Sequence, residues 1–146
     1  MPALQDQQAR SSLSILYVED NPADAFLFEQ ALAAGGTPYS LTVLGDGEAA
    51  LDFIQSSSVL PDLVVLDLNL RSVDGLTVLR ALKADGRWRS VPVQVFVEAS
   101  DPNHERANHL GADLCRAKPT DWDAWPNLIE AITKLGSHET ARRAAG

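Results

Sequence analysis

The chain has a single cysteine, Cys115, in 146 residues. One thiol forms neither an internal disulfide nor a thiolate-rich zinc site. Basic residues are also scarce: twelve Lys and Arg stand against twenty Asp and Glu, for a net charge of −8. An acidic surface repels a phosphate backbone, which argues against stand-alone DNA or RNA binding. No apolar run approaches the roughly 18 residues of a membrane span. The polar start, residues 1–12, has no signal-peptide hydrophobic region. The expected location is therefore the cytoplasm. Glycines are missing after the first apolar run, where Glu19-Asp20-Asn21-Pro22 follows. Without them a pyrophosphate cannot approach a helix N-terminus, so a dinucleotide enzyme is disfavoured.

What is present is the balance of a globular protein, 45% apolar and 22% charged. At roughly 100–200 residues per domain, the length fits one domain. The expected organisation is a tail over residues 1–12, a domain over 13–135 and a second tail over 136–146. Within the domain, short apolar runs alternate with helix-period segments. Strands are expected at residues 13–18, 40–44, 62–67, 91–97 and 113–117. Helices are expected at 23–34, 47–55, 74–84, 102–110 and 121–135. Leu63-Val64-Val65-Leu66 is apolar at every position, the mark of a strand buried on both faces in a parallel sheet. Five strands alternating with five helices predict an α/β fold with a doubly wound five-stranded parallel sheet. In such sheets the functional crevice lies beyond the carboxyl ends of the strands.

At those ends stand Glu19-Asp20, Asp67 and Ala117-Lys118-Pro119. If the strands are neighbours, three carboxylates and one ammonium converge. Packed like charges repel unless a cation is present. Hard oxygen ligands with open positions suit Mg²⁺.

Here the residues resemble a family, the receiver domains of two-component response regulators, over roughly residues 13–135. The resemblance rests on Val18-Glu19-Asp20-Asn21, Asp46-Gly47-Glu48-Ala49-Ala50, the run from Pro61 to Asp67, Asp74-Gly75, Pro92-Val93 and Lys118-Pro119. The Asn21-Pro22-Ala23-Asp24 run is similar to single-domain regulators paired with phytochrome-type kinases. The resemblance implies a flavodoxin-like sheet of order 2-1-3-4-5. It implies a phosphorelay role in which Asp67 takes a phosphoryl group from a phosphohistidine. It further implies Mg²⁺ held by Asp20 directly, Glu19 partly through water, Asp67 and the carbonyl of Asn69. Lys118 would pair with phosphoryl oxygens, and a cis bond before Pro119 would fix its approach. The implied partners are a sensor histidine kinase or phosphotransfer protein and a downstream target. A homodimer through the last helix and fifth strand is also consistent with the family.

Four positions depart from the family pattern. Val97 replaces the usual Thr or Ser at the end of the fourth strand, so the hydroxyl that bonds the phosphoryl oxygen is absent. Glu98 replaces a small residue, and Cys115 replaces the aromatic that swings inward with the threonine. Arg71 replaces a common proline, and a salt bridge from Arg71 to Glu98 is expected to form a lid. A hydrogen bond to a charged group contributes about 1.5–3 kcal/mol, so losing the hydroxyl weakens switching roughly 10- to 150-fold. Two readings therefore stand: a phosphorylatable receiver that signals by protein contact, and a phosphate-independent interaction module. No effector domain is expected after residue 135. An aspartate-nucleophile phosphatase of the haloacid-dehalogenase type would need a second Asp where Asn69 stands, so no enzyme is expected beyond self-phosphotransfer and autodephosphorylation. His104, His109 and His138 share no ligand spacing with Cys115 and read as surface residues. Trp122 and Trp125 read as core of the last helix, with a partner face as the alternative, and Trp88 as half exposed in a polar stretch.

Overall fold

The computed structural model describes residues 12–145, with side chains to Ser137. The expected tail over residues 1–12 lies almost wholly outside the described residues. Five strands run β1 (Leu13–Val18), β2 (Tyr39–Leu44), β3 (Leu63–Asp67), β4 (Val93–Phe96) and β5 (Leu114–Arg116). The helices between and after them are α1 (Pro22–Ala34), α2 (Gly47–Ser56), α3 (Gly75–Ala84), α4 (Pro102–His109) and α5 (Trp125–Ala145). A 3₁₀ turn, Trp122–Ala124, leads into α5. The strands form one parallel sheet in the order β2-β1-β3-β4-β5. This is the expected doubly wound architecture.

Short acidic or amide side chains start the helices. Asn21, Asp46, Asp74 and Asp101 each accept from a backbone N–H of the first turn, at 2.9, 2.7, 3.0 and 2.8 Å. Such caps satisfy donors that have no partner inside the helix. At α1 the cap is Asn21, with Pro22 at the first helical position, so Asp20 is left free to face the crevice.

Alternation along the central strands divides the core in two. Leu16, Val18, Val64, Leu66, Val93 and Val95 pack with α2 and α3 on one face. Ile15, Tyr17, Leu63, Val65 and Phe96 pack with α1 and α5 on the other. β3 is buried at all five positions, as its unbroken apolar run predicts.

Three expectations are corrected here. Trp88 is fully buried, not half exposed. Asp85 Oδ1 accepts from the backbone N–H groups of Arg87 (2.8 Å) and Trp88 (3.3 Å). That turn swings the indole beneath α2, where Nε1 donates to Ile54 O at 3.0 Å and the ring meets Phe53 edge-on. The tryptophans of the last segment divide: Trp125 is core, but Trp122 is 48% exposed, because the 3₁₀ turn does not share the helical stripe. Finally, α5 does not stop at Leu135 but continues through Ala145. The segment read as a tail contains no proline, and its alanines, arginines and glutamate favour helix. No helix among the described residues is long and apolar enough to cross a membrane.

Candidate functional site: an acidic cleft with one lysine

The carboxyl ends of β1, β3, β4 and β5 open on a cleft of about 280 Å³. Glu19 and Asp20 follow β1, Asp67 is the last residue of β3, Val97 and Glu98 follow β4, and Lys118 lies two residues after β5. One carboxylate oxygen each from Glu19, Asp20 and Asp67 falls within 4.8 Å of the others. Asn69, Arg71, Val97 and Glu98 line the same cleft. The expected convergence of distant segments is therefore present.

Lys118 organises the centre. Its Nζ lies 2.6 Å from Glu19 Oε1, 2.8 Å from Asp24 Oδ2 and 2.9 Å from Asp67 Oδ2. Burial opposes the ammonium's charge, but the bonds to Asp24, Glu19 and Asp67 outweigh it and raise the lysine's pKa. Phe96 presents its ring 6.0 Å from the same nitrogen. The Lys118–Pro119 bond is trans, since no cis peptide occurs among the described residues. The ammonium reaches the carboxylates without the cis bond that was expected.

Each carboxylate is held differently. Glu19 has a fully buried side chain. Its Oε1 also accepts from the Tyr17 hydroxyl at 2.9 Å, and its Oε2 accepts from the Asn21 N–H at 3.2 Å. Burial raises the Glu19 pKa above its ordinary value, while the Lys118 bond pulls it back. The Tyr17 phenol is itself buried beside that charge, which pushes its pKa well up. Tyr17 therefore keeps its proton and donates it to Glu19. Asp67 Oδ1 accepts from the Asn69 N–H at 2.9 Å, which fixes the carboxylate's plane. Asp20 Oδ2 accepts from the Arg71 N–H at 2.9 Å.

Arg71 does not form the expected lid. Its Nε lies 3.8 Å from Asp20 Oδ2, and no ion pair joins it to Glu98 among the described residues. The backbone bond to Asp20 holds the Arg71 main chain on the β1 side of the cleft, and the guanidinium stays 85% exposed. Val97 is buried in the core cluster, while Glu98 is exposed at the rim. Cys115 lies outside the cleft, its Sγ 3.2 Å from Asn108 Oδ1, and burial raises its thiol pKa. Two contributors escaped the sequence reading. Asp24 resembles any acid in a first helical turn, and Tyr17 resembles any core aromatic. Only the one-turn spacing of Asp20 and Asp24 hinted that both face the cleft.

Comparison with known proteins agrees with this geometry. Residues 15–132 match the family model described as the response regulator receiver domain. The chain is 36% identical over 132 residues to a probable methanogenesis regulatory protein, FilR2, of Methanothrix harundinacea, covering 86% of this chain and 84% of that one. The fold is similar to the phosphorylated cyanobacterial phytochrome response regulator RcpA, with a TM-score of 0.77 and 26% identity over 86% of this chain and 94% of that one. It is also similar to the Mn²⁺-bound form of the response regulator Rcp1, with a TM-score of 0.74 and 28% identity over 84% and 92% of the two chains. With the fold, the acidic cleft and the matched span in agreement, the chain belongs to the response regulator receiver domain family.

Proposed function

We propose that the chain is a receiver that accepts a phosphoryl group on Asp67 and signals through protein contacts. The observation that carries this reading is the 2.9 Å contact between Lys118 Nζ and Asp67 Oδ2 inside a three-carboxylate cluster. Asp67 attacks the phosphorus of a phosphohistidine on a kinase or phosphotransfer protein. An O–P bond forms as the N–P bond breaks, and the departing imidazole takes up a proton. Such transfers depend on positioning and charge neutralisation more than on acid–base groups. The Asn69 N–H orients Asp67, and Lys118 is placed to meet the incoming oxygens.

The donor set fits Mg²⁺: hard carboxylate oxygens at the mouth of an open cleft, with room for water. Asp20, Asp67 and the Asn69 carbonyl would hold it, with Glu19 behind them. When bound, it supplies positive charge to the phosphoryl oxygens. Rcp1 with Mn²⁺ offers a relative in which a divalent ion is bound. With Val97 and Cys115 in place of the hydroxyl and the aromatic ring, output falls to other parts of the surface, and the exposed Trp122 on the 3₁₀ turn before α5 offers one face for a target or a second copy.

Incubation with Mg²⁺ and acetyl phosphate tests the reading. A hydroxylamine-labile phosphate should map to Asp67, and chelation should abolish it. If no label appears on Asp67 in the presence of Mg²⁺, the reading is wrong.

Val97 favours a second reading, a scaffold that works without phosphate. It is 2% exposed and brings no hydroxyl to the cleft. Val97→Thr restores the donor at nearly constant volume. It is expected to tighten beryllofluoride binding about tenfold, within the range of a hydrogen bond to a charged group. Titration of both proteins in Mg²⁺ checks this, and equal affinities would show that the hydroxyl has no place in this cleft.

A further inference from the structure

We propose that Asp24 is a positioning residue that holds the Lys118 ammonium in the resting site and releases it when Asp67 is phosphorylated. This inference rests on the receiver reading above. An ammonium has three N–H donors and no acceptor. All three are engaged here, by Glu19, Asp24 and Asp67. A phosphoryl group brings about two negative charges and three acceptor oxygens. Lys118 can carry its Asp67 bond over to one phosphoryl oxygen, but meeting a second takes a donor now held by Glu19 or Asp24.

The three partners differ in what holds them. Glu19 is enclosed and tied by the Tyr17 hydroxyl and the Asn21 N–H. Asp67 is anchored by the Asn69 N–H and 7% exposed. Asp24 has a side chain 33% exposed, and Lys118 is its one hydrogen-bonding partner among the described residues. Water can take over its solvation as the ammonium leaves. Asp24 is thus the releasable member, and its release frees the first turn of α1 from the loop after β5. The geometry makes α1 the helix that senses the chemistry. That route bypasses Val97 and Cys115, which lack the hydroxyl and ring of the usual coupling.

Asp24→Asn removes the competing anion. With Mg²⁺ present, it is expected to bind beryllofluoride about three- to tenfold more tightly than the wild type, the range for a partly screened ion pair. Asp52→Asn, a surface change on α2 with the same loss of charge, should leave the affinity at the wild-type value. In the wild type, the carbon resonance of the Asp24 carboxylate should move toward that of a free aspartate when beryllofluoride binds. Tighter binding by Asp24→Asn alone, with that movement, supports the proposal. Equal gains in both variants, no gain in Asp24→Asn, or an unmoved resonance overturns it while the receiver reading stands. If neither the wild type nor Asp24→Asn binds beryllofluoride, the receiver reading fails and takes this proposal with it.

Discussion

Lys118→Met is expected to lower folding stability by about 3 kcal/mol at pH 8, with most of the loss recovered near pH 5. The substitution keeps the apolar stem and deletes the charge. Glu19, Asp24 and Asp67 then lose the cation that contacts all three. Removing one partner of a buried pair strands the other charge, which costs more than the intact pair contributed. The pH dependence follows from proton counting. The Glu19 pKa is raised by burial, with Lys118 holding it down. Without the lysine it rises further, so the folded variant retains a proton that the unfolded chain releases. Stability therefore falls as pH climbs above the unfolded value of about 4.5. The wild-type lysine, with its pKa raised, stays charged across this whole window and its contribution is lost only in strong alkali. Urea unfolding of both proteins at pH 5 and pH 8 measures the difference. An equal deficit at both values would mean that the lysine acts through packing. The same variant should take up phosphate about 100-fold more slowly, the usual effect of removing one oxyanion donor.

Gly75→Ala is the second large effect, expected at about 3 kcal/mol. A Cβ at this position would lie 2.5 Å from Leu68 Cα, 2.8 Å from Asp67 O and 2.9 Å from Leu68 O. All three are backbone atoms, so no flexible side chain can give way. The strain falls on the peptide that follows the proposed phosphoacceptor. The variant should lose phosphorylation rate as well as stability, because Asp67 shifts against Lys118. Thermal unfolding and acetyl phosphate labelling of the same sample test this, and an alanine tolerated in both assays would mean that α3 can slide away from the β3–α3 loop. At Gly47 a Cβ would lie 2.6 Å from Val73 Cβ and 3.1 Å from Val73 O, so alanine there also forces the chain to shift.

The legible parts of this molecule are those in which one physical preference dominates. The apolar run of β3 has no solution other than burial on both faces, and from it the parallel sheet follows. Asp20, Asp67 and Lys118 were readable because strand ends in such a sheet meet at one rim. The hidden parts depend on what a turn does to a neighbour. Trp88 sits among Asp85, Arg87 and Arg89, and its polar surroundings gave no sign that the Asp85 turn buries it. Arg71 was placed on the right rim but given the wrong partner, since a main-chain bond decides which side it joins. Asp24 carries no local sign beyond its one-turn spacing from Asp20, because only the folded segment after β5 brings the ammonium over α1. The helical continuation past Leu135 shows the same limit: the apolar stripe ends there, and helix propensity alone carries no mark of where the helix stops.

The three indoles occupy three different optical environments. Trp125 stacks edge-on with Phe96, 6.4 Å between centroids, and Phe96 in turn faces the Lys118 ammonium. Trp88 is sealed on the opposite side of the sheet, and Trp122 meets solvent. Emission from the first should respond to events in the cleft, the second gives an internal standard, and iodide quenching removes the third. The chain therefore carries a built-in fluorimeter, with no label attached.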